Sequence, residues 1–208
     1  MRIPYGRVLA AFFGSAVWLA GAPGALADGA LSHVEIGATA PAFTAMGADG
    51  RSHRLSDYAG KIVVLEWTSP VCPYTGMKYQ DGAMQALQKR ASAQGVVWIA
   101  IDTAAPGRPG YLSAQGMRAR IAHTGMRVTA FLSDPDGRIG RAYGAKTTPE
   151  LYVIGRNGRL AYQGAVDDNP ADEVAGDPSY VAKAIAAVKA GRPVDIPETL
   201  PYGCAVEY

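Results

Sequence analysis

The chain has 208 residues, of which 49% are hydrophobic, and its 20 basic and 18 acidic residues give a formal net charge of +2. Two of the basic residues, Arg2 and Arg7, lie in the first 27 residues, which contain no acidic residue, so the remainder is formally neutral (18 − 18). This balance excludes the strongly basic class of nucleic-acid-binding chains, and the length fits one α/β domain with a single core.

The N-terminus has the pattern of a secretory signal. Arg2 and Arg7 precede an uncharged apolar run over residues 8–20, and Ala25-Leu26-Ala27 places small residues where a signal peptidase cleaves. Because this run is short for a membrane span, we predict a cleaved signal peptide over residues 1–27, with an uncleaved anchor as the alternative. The protein is then expected to be periplasmic and free of the membrane, in an oxidising compartment where its two cysteines can form a disulfide.

The remaining elements follow in an α/β order. The apolar run at residues 62–67 predicts a strand covered on both faces, and a helix from Tyr74 to about Ala91 leads to a second buried strand at residues 96–101. These three elements predict a right-handed βαβ unit. The later elements are a helix from the N-cap Ser113 to His123, a strand at 128–132, a helical turn at 138–143, a hairpin with strands 150–154 and 160–163 around Asn157-Gly158, a helix from Pro178 to Ala190, and an extended tail over residues 191–208.

Cys72 lies where the first buried strand turns into a helix. Unpaired N–H groups and the helix dipole favour a negative charge at a helix N-terminus, which lowers the pKa of a thiol placed there. Pro73 follows the sulfur directly. We therefore predict a reactive thiolate at Cys72, while the alternative is a buried cysteine that only fills space in the core.

Three segments, residues 55–61, 67–74 and 146–154, carry a resemblance to a known family. In this order and spacing the chain resembles the thioredoxin superfamily, in its redoxin and peroxiredoxin-like branch (the alkyl hydroperoxide reductase/thiol-specific antioxidant type). The resemblance implies an α/β thioredoxin-like fold over residues 34–190, with a central mixed β-sheet flanked by helices and the extended tail behind it. It also implies that Pro149 is cis and faces the reactive thiol.

Two positions depart from the patterns of this superfamily. Thioredoxins have Cys-x-x-Cys, but Ser69 takes the first position of Ser69-Pro70-Val71-Cys72, so no disulfide can form within the motif. True peroxiredoxins resemble Pro-x-x-x-Thr-x-x-Cys-Pro. Here Ser69 stands in for the threonine and Pro73 fits, but Leu65 replaces the first proline. The constellation that activates peroxide is therefore incomplete.

Cys204 offers a second sulfur from outside the motif. It lies thirteen residues past Gly191, so an extended tail could stretch roughly 40 Å, well beyond the radius of gyration of about 15 Å expected for such a domain. The apolar and aromatic ending (Tyr202, Val206, Tyr208) predicts that the tail docks on the domain. In this position Cys204 resembles the C-terminal resolving cysteine of some two-cysteine peroxiredoxins.

These observations predict an exported thiol-dependent oxidoreductase of the redoxin type. Cys72 and Cys204 are the candidate catalytic residues, with Cys72 attacking a peroxide or a protein disulfide and Cys204 resolving the product before an external thiol donor reduces the pair. Thr68 or Ser69 is expected to hydrogen-bond the thiolate, while Pro73 and Pro149 shape the site. The role is antioxidant if the substrate is a peroxide. The alternative is a non-enzymatic thioredoxin-fold binding module in which Cys72–Cys204 is a structural disulfide.

Other candidate sites have weaker support, and we expect no metal and no cofactor. The three histidines are far apart in sequence, and Gly76 occupies the second cysteine position of the copper-delivering relatives. Glu66 either relays protons or points to solvent. Two further groups have no assigned role: the acidic residues Asp167, Asp168, Asp172 and Glu173, and the arginines Arg118, Arg120, Arg127 and Arg141.

Overall fold

The computed structural model of this protein describes Met1, residues 32–170 and residues 179–208. The predicted signal peptide therefore lies outside the described residues, apart from Met1. Nine strands are present in the described part of the chain: β1 Thr44–Gly47, β2 Ser52–Arg54, β3 Val63–Trp67, β4 Val97–Asp102, β5 Ala130–Ser133, β6 Thr147–Thr148, β7 Glu150–Ile154, β8 Leu160–Gly164 and β9 Cys204–Ala205. No helix among the described residues is long and apolar enough to cross a membrane.

Seven of these strands form one mixed sheet in the order β2-β1-β5-β4-β3-β7-β8. Strands β3, β4 and β5 are parallel, whereas β1 pairs antiparallel with β2 and β5, and β7 with β3 and β8. Every residue of β3 and β4 is buried, as their continuous apolar runs predict. The carboxyl ends of the parallel strands meet at one edge, where Trp67 and Asp102 end their strands.

Five helices flank this sheet in the described residues: α1 Pro73–Gln80, α2 Ala83–Ala93, α3 Ala114–Thr124, α4 Arg138–Tyr143 and α5 Tyr180–Lys189. Ser113 caps α3 by accepting a hydrogen bond from the backbone N–H of Gly116, as predicted. The prediction of one continuous helix after Cys72 is wrong. The chain breaks at Gly82, whose φ of +84° is a left-handed conformation that glycine adopts without strain, and α2 starts after it.

The two faces of the sheet have different cores. One face packs on α1, α2 and α5 through aliphatic and aromatic residues, and the other carries an aromatic group in which Trp67, Tyr143 and Tyr152 meet with ring centroids 5.1–5.6 Å apart. The α/β architecture with a central mixed sheet and flanking helices is therefore confirmed. The final helix begins at Tyr180 with Ser179 as its N-cap, and Pro178 lies outside the described residues.

Candidate active site

Cys72 is the N-cap residue of α1, at the end of the turn that leaves β3. Its side chain is 2% exposed, and its carbonyl accepts the first helical hydrogen bond from the N–H of Gly76 (3.0 Å). Pro73 occupies the first helical position, where its missing N–H costs nothing and its fixed φ suits the helix. The predicted strand–turn–helix setting of Cys72 is thus confirmed, and it directs unpaired helix N–H groups towards the thiol.

The thiol of Cys72 faces the segment before Pro149. Its Sγ donates a hydrogen bond to the backbone carbonyl of Thr148 at 2.9 Å, and the Thr148–Pro149 peptide bond is cis, as the resemblance implies. Two parts of the chain separated by 76 residues (148 − 72) therefore meet at the sulfur. Thr148 belongs to the short strand β6, which lies outside the main sheet.

Cys204 reaches the same place from the C-terminal tail. Strand β9 pairs antiparallel with β6, so that Cys204 lies opposite Thr148 and Ala205 lies opposite Thr147. The two side chains are close enough for each to shift the pKa of the other, and both cysteines are free thiols. Cys72 is buried and Cys204 is half-buried, so Cys204 presents the more accessible sulfur of the pair.

Residues 202–208, here called the strap, dock at both ends. At one end the Tyr202 ring packs on Tyr74, with centroids 6.2 Å apart, and its hydroxyl donates to Asp167. At the other end Tyr208 donates to the carbonyl of Ala145 (2.6 Å) under the guanidinium of Arg141. Tail docking through Tyr202, Val206 and Tyr208 is thus confirmed, since Val206 packs on the aromatic face of the core.

The two thiols have opposite pKa shifts. Burial raises the pKa of Cys72, but interactions with the side chains of Cys204 and Thr148 and with the backbone N–H groups of Thr75 and Cys204 lower it, and the net pKa lies below the ordinary value. For Cys204, burial together with the hydrogen bond to Cys72 and its negative charge raises the pKa to about 11. Cys72 therefore loses its proton more easily than an ordinary cysteine does, whereas Cys204 keeps its proton at neutral pH.

The other predicted site residues lie around this pair. Thr68 is 1% exposed, and its hydroxyl makes no hydrogen bond among the described residues. The hydroxyl of Ser69 lies near Gly110, in the loop after β4. The Cys72 sulfur instead donates to the carbonyl of Thr148. The expected contact from Thr68 or Ser69 therefore stays a prediction for a reacting state.

A buried polar cluster lies on one face of the sheet near these turns. Glu66 accepts hydrogen bonds from Tyr79 (2.7 Å), Gln88 (3.0 Å) and Trp98 (2.7 Å), so the interpretation that Glu66 points to solvent is wrong. Burial raises its pKa. The guanidinium of Arg120 lies within electrostatic range of Glu66 and of Cys72, and two of its buried nitrogen atoms have no partner among the described residues.

Asp102 ends β4 beside this cluster. Its carboxyl accepts one hydrogen bond, from the N–H of Leu112, and burial raises its pKa to about 7. Sequence reasoning missed Asp102 as a site residue and left Arg120 unplaced. A charged residue at the carboxyl end of a buried strand was the available signal, because that end of a parallel sheet is where sites form.

Another residue missed from the sequence is Glu150, which follows the cis proline and is 5% exposed. Its carboxylate accepts hydrogen bonds from the N–H groups of Lys146 (2.6 Å) and Thr147 (3.0 Å) and from the Tyr152 hydroxyl (3.0 Å). No group of three or more metal-binding side chains occurs among the described residues.

Comparison with known proteins adds a family and a fold. Residues 36–163 match the AhpC/TSA family. The chain is 30% identical over 129 residues to the thiol-disulfide oxidoreductase ResA of Geobacillus thermodenitrificans, a match that covers 61% of this chain and 67% of that protein. The matched region contains Cys72 and Thr148 and ends before the strap.

Solved structures support the same fold. An uncharacterized conserved protein from Geobacillus kaustophilus superposes with a TM-score of 0.76 at 24% identity, covering 84% of this chain and 92% of the other. A Chlorobium tepidum protein assigned as a thiol:disulfide interchange protein DsbE gives 0.51 at 26% identity over 62% of this chain and 84% of the other. The predicted thioredoxin-like fold is confirmed.

Proposed function

Because this chain belongs to the AhpC/TSA family of thiol-disulfide oxidoreductase-like redoxins, we propose that it exchanges disulfides through Cys72 as nucleophile and Cys204 as resolving cysteine. The observation that carries the proposal is that both cysteines lie against Thr148: the Cys72 Sγ donates to its carbonyl, and Cys204 pairs with it across β6 and β9. Its export to the periplasm rests on the leader pattern of residues 1–27.

The proposed cycle starts with the Cys72 thiolate. It attacks one sulfur of a substrate disulfide, forms a mixed disulfide with that sulfur and releases the other as a thiolate. Cys204 then loses its proton and attacks the sulfur of Cys72, which expels the remaining substrate thiolate. The substrate gains two electrons and becomes a dithiol, and the protein ends with a Cys72–Cys204 disulfide that an external thiol donor reduces.

The pKa shifts give this cycle a defined order. Two of the three effects that raise the pKa of Cys204 are its hydrogen bond to Cys72 and the Cys72 charge. Both disappear once Cys72 is part of a mixed disulfide, because that sulfur no longer carries a charge. The pKa of Cys204 then falls, so Cys204 becomes a competent nucleophile after the first step and not before it.

A peroxide substrate has weaker support, because the set of residues that activates peroxide in peroxiredoxins is incomplete around Cys72. Leu65 stands where the peroxiredoxin pattern has a proline, and Ser69 where it has a threonine. Disulfide exchange is therefore the proposed reaction, and an antioxidant role requires that the protein also reduce peroxide. Peroxide is accordingly the second substrate to test, and a rate at Cys72 no faster than that of free cysteine would exclude it.

The testing experiment equilibrates the purified protein with a glutathione series and locates the bond by mass spectrometry. A Cys72–Cys204 disulfide with a potential near about −200 mV is expected, because such a couple can be cycled by cellular thiols. A potential below about −300 mV would identify a structural disulfide, and the absence of the bond would exclude the resolving role. Cys204→Ser should trap the mixed disulfide on Cys72, whereas Cys72→Ser should form none.

A further inference from the structure

The carboxylate of Glu150 connects the main sheet to the segment that faces both thiols. Glu150 is the first residue of β7 and pairs with Trp67 of β3, so its backbone is fixed in the central sheet. Its Oε2 accepts hydrogen bonds from the N–H groups of Lys146 and Thr147, four and three residues earlier in the chain. These bonds fold residues 146–149 back onto the sheet.

Both cysteines depend on this folded-back segment for their positions. The Cys72 Sγ donates to the carbonyl of Thr148, and Cys204 pairs with Thr148 across the β6–β9 ladder. Directly beside them, the N–H of Val206 donates to the carbonyl of Lys146 (3.0 Å). The segment therefore has the Glu150 carboxylate on one side and the contacts of both thiols on the other.

We propose that Glu150 is the positioning residue of the thiol pair, because its buried carboxylate holds the strand against which Cys72 and Cys204 are both aligned. The inference rests on the proposed disulfide exchange between these two cysteines. Glu150 contacts neither sulfur, so it acts only through β6. Three donors satisfy the buried carboxylate, so that Glu150 is held in place as firmly as the segment it supports.

The hydrogen bonds predict different behaviour for two substitutions. Glu150→Ala leaves two partly buried N–H groups without this acceptor, so β6 should move and the two sulfurs should separate. Glu150→Gln keeps an oxygen that accepts the same N–H groups, and its amide N–H can donate to the Tyr152 hydroxyl. We expect the equilibrium constant for forming the Cys72–Cys204 disulfide to fall at least tenfold in Glu150→Ala and less than threefold in Glu150→Gln.

The measurement is the glutathione equilibrium of each variant, together with the pKa of Cys72 followed by thiolate absorbance. In Glu150→Ala the Cys72 pKa should rise, because the interactions with the side chains of Cys204 and Thr148 that lower it are lost. Glu150→Asp, which shortens the reach by one methylene, provides the same test if the alanine variant does not fold. A loss of stability alone would move neither quantity.

Val97→Ala is the matched control for lost stability. Val97 is buried and begins β4, about 16 Å from the Asp102 end of the strand. Its replacement by alanine therefore weakens the core at the edge of the sheet far from the cysteines. It should leave both the disulfide equilibrium and the Cys72 pKa unchanged. The proposal is overturned if Glu150→Ala behaves like Val97→Ala, or if Glu150→Gln shifts both quantities as far as Glu150→Ala.

The design separates this inference from the proposed function. If the unsubstituted protein forms no Cys72–Cys204 disulfide in any glutathione ratio, the resolving role of Cys204 is wrong. The pKa of Cys72 still reports on Glu150 in that case, since the Thr148 contact does not require a disulfide. A normal disulfide in the unsubstituted protein, with no effect of Glu150→Ala, would contradict the positioning role alone.

Discussion

Cys72 and Cys204 lie side by side, but the regions that carry them are held in different ways. Cys72 follows a strand that is buried along its whole length, and its neighbours Trp67 and Thr68 are almost fully enclosed. Cys204 lies on a two-residue strand outside the main sheet, in a strap fixed by the side chains of Tyr202 and Tyr208. One sulfur is thus part of the core and the other is docked on it.

This difference predicts two separable responses to mutation. Changes around Cys72 should alter the free energy of unfolding of the whole domain, because the same residues form its core. Changes in the strap should alter how often the two sulfurs meet while the domain stays folded, because few buried apolar contacts hold the strap. Measurements of unfolding and of the thiol equilibrium on the same variants distinguish the two.

The largest expected effect is on the free energy of unfolding and comes from Asp102. This residue ends β4 in the buried part of the sheet that carries Cys72, here called the embedded region. Its pKa is raised from 3.8 to about 7 in the folded protein, so the folded state keeps the proton longer than the unfolded state does. Stability from this group is complete below about pH 4 and is lost as the pH rises to about 7, by up to about 4 kcal/mol. Asp102→Asn does not titrate and should be the more stable protein at pH 8.

The check is the free energy of unfolding of both proteins in denaturant from pH 4 to pH 8. The asparagine keeps an oxygen for the N–H of Leu112, so the hydrogen bond at this position is retained. Parallel stability profiles for the two proteins would contradict the prediction. The equilibrium constant of the Cys72–Cys204 disulfide at pH 7 should differ little between the two proteins. Such a result would show that Asp102 affects the stability of the domain and not the pairing of the two sulfurs.

A smaller effect is expected from Gly203→Ala in the strap, and it falls on the Cys72–Cys204 disulfide equilibrium instead of the free energy of unfolding. Gly203 has φ +130°, and a Cβ atom there would lie 2.1 Å from the carbonyl oxygen of Thr148. Since that oxygen is backbone, strand β9 must leave β6. We expect the equilibrium constant for the Cys72–Cys204 disulfide to fall about a hundredfold, equivalent to about 2.7 kcal/mol, with a much smaller change in unfolding free energy.

Gly191→Ala is the control for this substitution. Gly191 also has a positive φ (+67°) and begins the tail, but nothing lies within 4 Å of the position its Cβ would take. It should share the backbone strain of Gly203→Ala and lack the collision. An equal fall in the disulfide equilibrium in both variants would show that tail flexibility, and not docking of β9, controls the pairing.

The smallest effect is expected from Tyr208→Phe. The substitution removes one hydrogen bond, to the carbonyl of Ala145, and keeps the ring under Arg141. A net loss of about 1 kcal/mol should lower the disulfide equilibrium constant about fivefold. Tyr58→Phe, which removes the hydroxyl contact to His53 far from the strap, should leave that constant unchanged. If both variants behave alike, the strap is not held by Tyr208.

The sequence predicted the embedded region better than the docked one. The continuous apolar runs of β3 and β4 and the position of Cys72 between strand and helix follow from local patterns of hydrophobicity, which the structure confirms. The break at Gly82 was missed although Asp81-Gly82 is a turn dipeptide, because Met77 before it and Met84 and Leu87 after it keep the helical spacing.

The docked region, which is the strap that carries Cys204, depends on pairing between distant segments, and no local pattern encodes such pairing. Chain length showed that Cys204 can reach Cys72, but the register that places it opposite Thr148 is set by tertiary contacts. Glu150 gave no signal of its own, because a carboxylate that binds backbone N–H groups looks the same in sequence as one in water. Arg120 was named among four arginines, and only the fold places it near Glu66.

The order in which the two sulfurs are synthesised has a consequence for how the protein matures. Cys204 follows Cys72 by 132 residues (204 − 72), and its docking surface at β6 and α4 is itself made after Cys72. An emerging chain therefore presents a lone thiol to oxidants and to other proteins before any partner exists, and closing so long a loop is slow until the domain has folded. The pairing of Cys72 with Cys204 is thus a product of folding and does not direct it. Because the chain has two cysteines, oxidation of Cys72 before Cys204 is made would give mixed disulfides with other thiols.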